Sequence, residues 1–271
     1  MPAFKKQFGH PGWPASNTDA YHGYLYDSWQ KSVVISILSA GTFAGACLSG
    51  YAADWIGRKT TTILGCVIYV IGVIIQTLAP KIPVLIVGRA IAGLGVGFES
   101  ATVIMYISEI TPKSIRGTVT SAYQFAITIG LFLAAVVSYC TKDREDSGAF
   151  RIPIGLQFLW AIILATGLWF SPESPRWYIM KDKDEEAKKA ISRIRRQPVD
   201  SEFVQRECRD LTEIWKVERE LSAGWIACFS GGFKSGSNLH RTLIGITIQM
   251  MQQLSKLSSY LGLTGHLLTD L

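Results

Sequence analysis

The sequence predicts an all-α membrane protein, and three observations carry that expectation. Five apolar runs follow one another between residues 33 and 171, each near the roughly 20 residues that a helix needs to cross a hydrocarbon core about 30 Å thick. Charge is scarce in these runs and gathers in the short links between them and in the segment from Arg176 to Arg219. Small residues recur inside the runs, most densely at Gly88, Gly93, Gly95 and Gly97, where missing side chains let neighbouring helix backbones approach closely. The bulk figures agree, with 48% of the 271 residues hydrophobic and a formal net charge of +6.

Residues 1–32 are polar and aromatic. They contain Lys5 and Lys6 and no apolar core of the kind a signal peptide needs, so the segment reads as uncleaved. Trp13, Tyr21, Tyr24, Tyr26 and Trp29 fall just before the first span, where such rings suit a membrane interface. The first span, 33–53, is uncharged and rich in small residues (Ser39, Gly41, Ala44, Gly45, Ser49, Gly50), a pattern of close packing rather than lipid exposure, and it stops at Asp54. The second, 60–79, has Gln76 as its strongly polar interruption, and Pro80, Lys81 and Pro83 turn the chain. The third, 82–107, places Arg89 and Glu99 at membrane depth. A charge there needs an opposite charge, a cavity or a protein interior, because an unpaired one costs several kcal/mol. This helix is expected to be central, ending in the charged turn of Glu109, Pro112, Lys113 and Arg116. The fourth span, 117–140, carries Gln124; a link of mixed charge, 141–151, follows, and the fifth span, 152–171, closes on Trp169 and the run SPESPRW.

Residues 172–241 have the character of a soluble helical loop. Ala187, Ala190, Ile191 and Ile194 form one stripe, and Val204, Cys208, Leu211 and Trp215 recur at i, i+4, i+7 and i+11, the spacing of surface helices with one apolar face. The segment 242–271 starts like another membrane helix, TLIGITIQMMQQLS, and loses the pattern after Lys256. Arg241 and Lys256 bracket fewer residues than the roughly 17–25 that a crossing requires. Arg58, Lys59, Lys113 and Arg116 share one side with the basic segment after Arg176, and that side is expected to be cytoplasmic. Residues 1–32 then fall outside, which is awkward for a basic segment with no preceding span and points to a missing first helix.

Several chemistries find no support. Cys47, Cys66, Cys140, Cys208 and Cys228 form no CxxC pair and no metal-ligand spacing with histidines, so neither a metal nor a cofactor is expected. The GLGVG run lies inside a span and is no phosphate loop; with no Ser/His/Asp arrangement either, the chain is not expected to be an enzyme. Acidic residues interleave the basic ones after Arg176, which favours a solvated face packed onto the bundle over contact with anionic lipid headgroups; no nucleic-acid partner is expected. One link does carry a specific signal. GYAADWIGRK, residues 50–59, joins two spans with almost no slack. Gly57 permits the tight reversal, Asp54 marks a helix end, and Arg58 is placed to pair with carboxylates of neighbouring helices.

Taken together, GYAADWIGRK (50–59), GRAIAGLGVG (88–97), YISEITPKSIRG (106–117), SPESPRW (171–177) and QQLS (252–255) resemble the motifs of the major facilitator superfamily, sugar porter family, in its fungal monosaccharide branch. The resemblance covers residues 1 to about 255. It implies two six-helix halves that rock about a midplane site. Of these, the chain would supply a partial bundle: helices two to six, the intracellular helices and the start of helix seven. After QQLS the family pattern gives way at Lys256, so the expected chain is truncated at both ends.

The function this implies is transport of a hexose-type sugar across the bilayer by a multi-pass protein, of the plasma membrane in its full-length form. Gln124 matches the glutamine that bonds sugar hydroxyls, with Ile127 and Leu131 on its helix face, and Gln252 and Gln253 match a second such pair. For Gln124 read alone, an interhelical hydrogen bond is the alternative. Arg89 matches an arginine of proton-coupled members and would bring H+ as a partner; its alternative is an ion pair or a backbone-carbonyl contact. Asp54, Arg58, Glu109, Arg116, Glu173 and Arg176 match a cytoplasmic gate of salt bridges. The alternatives to a hexose carrier are a non-transporting fragment, one associating with a complementary half, and a carrier of another polyol such as inositol or quinate.

Overall fold

The computed structural model describes residues 10–11, 24–25, 28–112, 114–141, 148–221 and 237–269. Two two-residue strands, β1 (His10–Pro11) and β2 (Tyr24–Leu25), pair antiparallel with His10 opposite Leu25. Most of the aromatic N-terminal segment, Lys113, the greater part of the 141–151 link and Cys228 lie outside the described residues. Every other described element is a helix. Five of them are long and apolar enough to cross a membrane: α1 (Ser28–Ile56), α2 (Arg58–Leu78), α3 (Ile82–Ile110), α4 (Arg116–Thr141) and α5 (Gly148–Phe170). The helices begin and end within a few residues of the charges and prolines that bound the apolar runs, except that α1 and α5 extend by about one turn at their starts.

α3 is the helix on which α1 and α2 pack, and its glycines are the reason. Gly93 and Gly97 meet Gly41, Gly45 and the backbone around Leu38 and Thr42 of α1. A Cβ added at Gly41 would stand 2.6 Å from the Ala90 carbonyl oxygen, and one at Gly95 would stand 2.6 Å from the Tyr69 amide of α2. Such backbone proximity is the packing mode of membrane helices, where no hydrophobic force separates protein from lipid and van der Waals contact decides. Between α2 and α3, Gly88 makes room for the side chain of Gln76, whose Nε2 donates to the Gly88 carbonyl at 3.3 Å. The polar interruption of the second span is thereby satisfied inside the bundle. Val34, Ala79 and Leu85 close this end, with Ile82 and Ile86 against them.

α5 joins α2 through a hydrogen bond from the Tyr69 hydroxyl to Gln157 Oε1, 3.1 Å. α4 is covered least, and most of its side chains, including Phe125, Leu131 and Phe132, are exposed. Beyond α5 come α6 (Pro175–Met180), α7 (Asp184–Arg195) and α8 (Glu202–Leu221). The stripes read from the sequence turn inward: Ala187, Ala190 and Ile191 of α7 are buried, as are Val204 and Cys208 of α8. Arg195 Nη1 reaches the Ile110 carbonyl at the end of α3, 3.3 Å, while its Nε and Nη2 hold Glu207 at 3.0 and 2.5 Å.

The chain divides into two compact units, residues 1–211 and 212–271. The second unit holds the end of α8 and α9 (Asn238–Thr269). α9 runs on through Lys256 as one helix, past the point where the apolar membrane pattern of the sequence gives way. Hydropathy governs whether a helix crosses a membrane, whereas the helix itself needs only the i→i−4 bonds, and no proline interrupts residues 238–269.

Candidate functional site

The α1–α2 junction is built on one backbone conformation. Gly57 has φ 109°, in the left-handed region that glycine adopts without steric cost, and a Cβ there would lie 2.5 Å from Glu173 Oε2. The reversal directs Arg58, the first residue of α2, back into the bundle, where its side chain is almost fully buried. There Arg58 Nε donates to Glu109 Oε2 at 3.2 Å, Nη1 to the Ala53 carbonyl at 3.1 Å, and Nη2 points at Met180 Sδ, 3.4 Å. Asp54 Oδ1 stands 3.2 Å from Nη1 but is largely exposed, so it contributes less than Glu109, whose side chain is 7% exposed. Ser174 Oγ donates to Glu109 Oε2 at 2.5 Å, giving the buried carboxylate a second donor.

Glu173 is buried beside this pair and serves the backbone. Its Oε1 accepts the Lys59 amide and the Ser174 amide, each at 2.9 Å, so a carboxylate from the link between α5 and the helix that follows satisfies an orphan N–H at the start of α2. Further bonds tie the same end together: Trp177 Nε1 to the Asp54 carbonyl, 3.2 Å, Tyr106 hydroxyl to the Pro172 carbonyl, 2.5 Å, and Lys59 Nζ to the Trp169 carbonyl, 2.9 Å. Next to them lies a cavity of about 420 Å³, walled by Lys59, Glu173, Trp177, Tyr178, Glu186 and Arg193 among others. Burial pushes the Tyr178 phenol above its usual range, and the carboxylates of Glu186 and Glu173 add to the effect.

Of the six residues matched to a gate, the structure brings Asp54, Arg58 and Glu109 into one cluster and sets Glu173 against its backbone. Arg176 is half-buried in α6. Arg116 is exposed at the start of α4 and, among the described residues, makes none of the cluster's contacts. Ser174, Met180, Tyr106 and Trp177 were not singled out as individual contacts. Ser174, Tyr106 and Trp177 fall inside the quoted motifs, whereas Met180 has no sequence signal beyond its place in a short helix.

The residues matched to sugar binding stand elsewhere. Gln124, Ile127 and Leu131 lie on one exposed face of α4. Nothing among the described residues covers that face deeply enough to bury it. A groove of about 520 Å³ between α4 and α5 is lined by Ala126, Gly130, Leu133, Gln157 and Trp160 among others, and none of the three residues belongs to it. Gln252 is exposed on α9, and the side chain of Gln253 lies outside the described residues. Arg89 Nη1 donates to the Val34 carbonyl of α1 at 2.9 Å.

Comparison with known proteins decides the family. A model described as sugar (and other) transporter matches residues 1–266. The chain belongs to that family. It is 44% identical over 229 residues to the major facilitator-type transporter ecdD of Aspergillus rugulosus, covering 84% of this chain and 41% of that protein. It is 35% identical over 234 residues to the low-affinity glucose transporter HXT3 of Saccharomyces cerevisiae, covering 86% of this chain and 41% of the relative. The chain thus spans about two fifths of the length of these curated relatives. Among solved structures, the proton:xylose symporter XylE bound to 6-bromo-6-deoxy-D-glucose superposes with TM-score 0.67 at 24% identity over 77% of this chain and 48% of that one. The fold of this chain is therefore part of a major facilitator bundle, and the chain is a multi-pass membrane protein.

Proposed function

We propose that this chain forms the sugar-contacting part of a monosaccharide porter of the plasma membrane, with hexose as the substrate class and alternating access as the mechanism. The observation that carries the reading is the kinship with a glucose transporter over 86% of the chain, together with a glutamine, Gln124, presented on an open helix face beside Ile127 and Leu131. An amide offers two donors and an acceptor, the complement of a polyol. The end of the bundle that carries Arg58 and Lys59 is cytoplasmic in this reading, and the Arg58–Glu109 cluster with Asp54, Glu173, Arg176 and Arg116 forms the inner gate. Arg89 is the candidate for coupling to H+, beside its part in clamping α3 to α1. Gln252 and Gln253 are proposed as further sugar contacts. No bond of the sugar is made or broken.

The test is a chimera in which residues 28–221 of this chain replace the matching segment of a full-length glucose transporter, expressed in cells that lack hexose transport. Saturable uptake of labelled glucose is expected, and Gln124→Ala is expected to weaken the apparent affinity by about 1–3 kcal/mol, the cost of losing a hydrogen-bond partner. Unchanged affinity at normal surface expression removes Gln124 from the sugar site. Competition by inositol or quinate in place of glucose assigns the other polyol class, and sugar binding without uptake assigns a non-transporting role.

A further inference from the structure

Glu99 stands at the junction of α2, α3 and α4, and neither the gate nor the sugar face uses it. α3 gives Gly93 and Gly97 to α1, whereas Glu99 projects toward α2, its Cγ 3.3 Å from the place a Cβ on Gly65 would take. The carboxyl shares a hydrogen bond with the Cys66 thiol of α2. Its other oxygen, Oε1, is buried and has no hydrogen-bond partner among the described residues. Tyr69 of α2 and Tyr123 of α4 lie within electrostatic reach of the same carboxyl. Tyr69 in turn donates to Gln157 Oε1 of α5 at 3.1 Å, and Gln157 is a polar point on the otherwise largely apolar wall of the 520 Å³ groove between α4 and α5. α1 packs on another face of α3, through Gly41 and Gly45.

A carboxylate at membrane depth calls for a cation, a cavity or a proton. Among the described residues, the titratable groups set against Glu99 are a thiol and two phenols, with an amide beyond Tyr69, and none of these carries positive charge. An orphan buried oxygen is the position at which a carboxylic acid would hold its hydrogen, since the acid form has one O–H donor and keeps acceptor capacity for Cys66. The groove reaches Gln157, which is hydrogen-bonded to Tyr69, one of the phenols set against Glu99. We propose that Glu99 is an intramembrane proton-binding site, entered from the α4–α5 groove and separate from Arg89. The step adds one proton from solvent to a Glu99 oxygen and later returns it; no bond to carbon changes. Loss of that proton leaves a charge between α2, α3 and α4, so occupancy of the site links pH to the packing of these helices.

Dicyclohexylcarbodiimide tests this, because the apolar reagent adds only to a carboxylic acid, giving an O-acylisourea that rearranges to a stable N-acylurea with no leaving group. Membranes containing the 271-residue chain are treated across a pH series from acid to alkaline, and adducts are mapped by peptide mass spectrometry. The expected result is an adduct at Glu99 whose yield falls as pH rises, is lost in Glu99→Gln, and forms about fivefold more slowly in Tyr69→Phe, where one hydroxyl of the route is gone. A water-soluble carbodiimide is expected to leave Glu99 unlabelled. The proposal is overturned if Glu99 in the membrane carries no adduct at any pH while the chain unfolded in dodecyl sulfate is labelled there, or if its labelling is indifferent to pH. Neither result bears on whether Gln124 contacts sugar, which the uptake of the chimera measures separately.

Discussion

Arg58 shows what one residue does in this molecule. Its side chain is almost fully withdrawn from water, and three of its directions are occupied by Glu109, the Ala53 carbonyl and Met180. A buried pair of this kind is weak evidence of net stabilisation, because desolvation opposes the Coulomb attraction, but breaking it from one side leaves a charge that nothing compensates. We expect Glu109→Gln to destabilise the chain by about 3–5 kcal/mol, whereas Asp54→Asn, at an exposed carboxylate, should cost less than about 1 kcal/mol. Thermal unfolding of the two purified variants in detergent checks the contrast; equal shifts would mean that burial is not what makes Glu109 matter. The sequence marked Arg58 as a cation seeking carboxylates, and the family motifs pointed to Glu109. That Glu173 serves amide groups was not legible, since an acceptor for the Lys59 N–H that lies 114 residues away leaves no local pattern.

Among the elements, α3 organises the bundle by what it lacks. The glycine ladder was visible in the sequence, and so was the consequence that backbones approach there. Which glycine meets which helix was not, because a ladder with side chains missing on several faces has no apolar stripe to give its orientation. In the structure Gly93 and Gly97 face α1, and Gly88 and Gly95 face α2. A side chain at Gly97 would run into the Thr42 carbonyl and the backbone of Ala46 and Gly45, none of which can swing aside as a flexible side chain could. Gly97→Val is therefore expected to cost about 1–3 kcal/mol or more through overpacking. Gly117→Ala, at a site with open space around it, should be neutral or stabilising by up to about 1 kcal/mol. Urea or heat titrations of both variants separate a packing role from a general intolerance of substitution.

At the scale of the whole molecule, the two candidate sites differ in how far this chain alone completes them. The α1–α2 junction is closed by residues of this chain, with Glu109, Glu173, Ser174 and Trp177 supplied by α3, by the α5–α6 link and by α6. The α4 face with Gln124, Ile127 and Leu131 stays open, Leu131 being 66% exposed. Alternating access requires two bundles that move against each other around a shared site, so that the site is sealed from one side before it opens to the other. The first unit offers one set of packed helices and one unsealed face, and HXT3 and ecdD are longer proteins of which the chain matches 41%. We therefore expect that residues 1–271 expressed by themselves in cells lacking hexose transport give no saturable uptake of labelled glucose. Supplying the rest of a homologous transporter as a second polypeptide should restore uptake, and Gln124→Ala should weaken it in that combination. Saturable uptake by the 271-residue chain alone, at surface levels confirmed by labelling, would show instead that the open face of α4 is completed by another copy of the same chain.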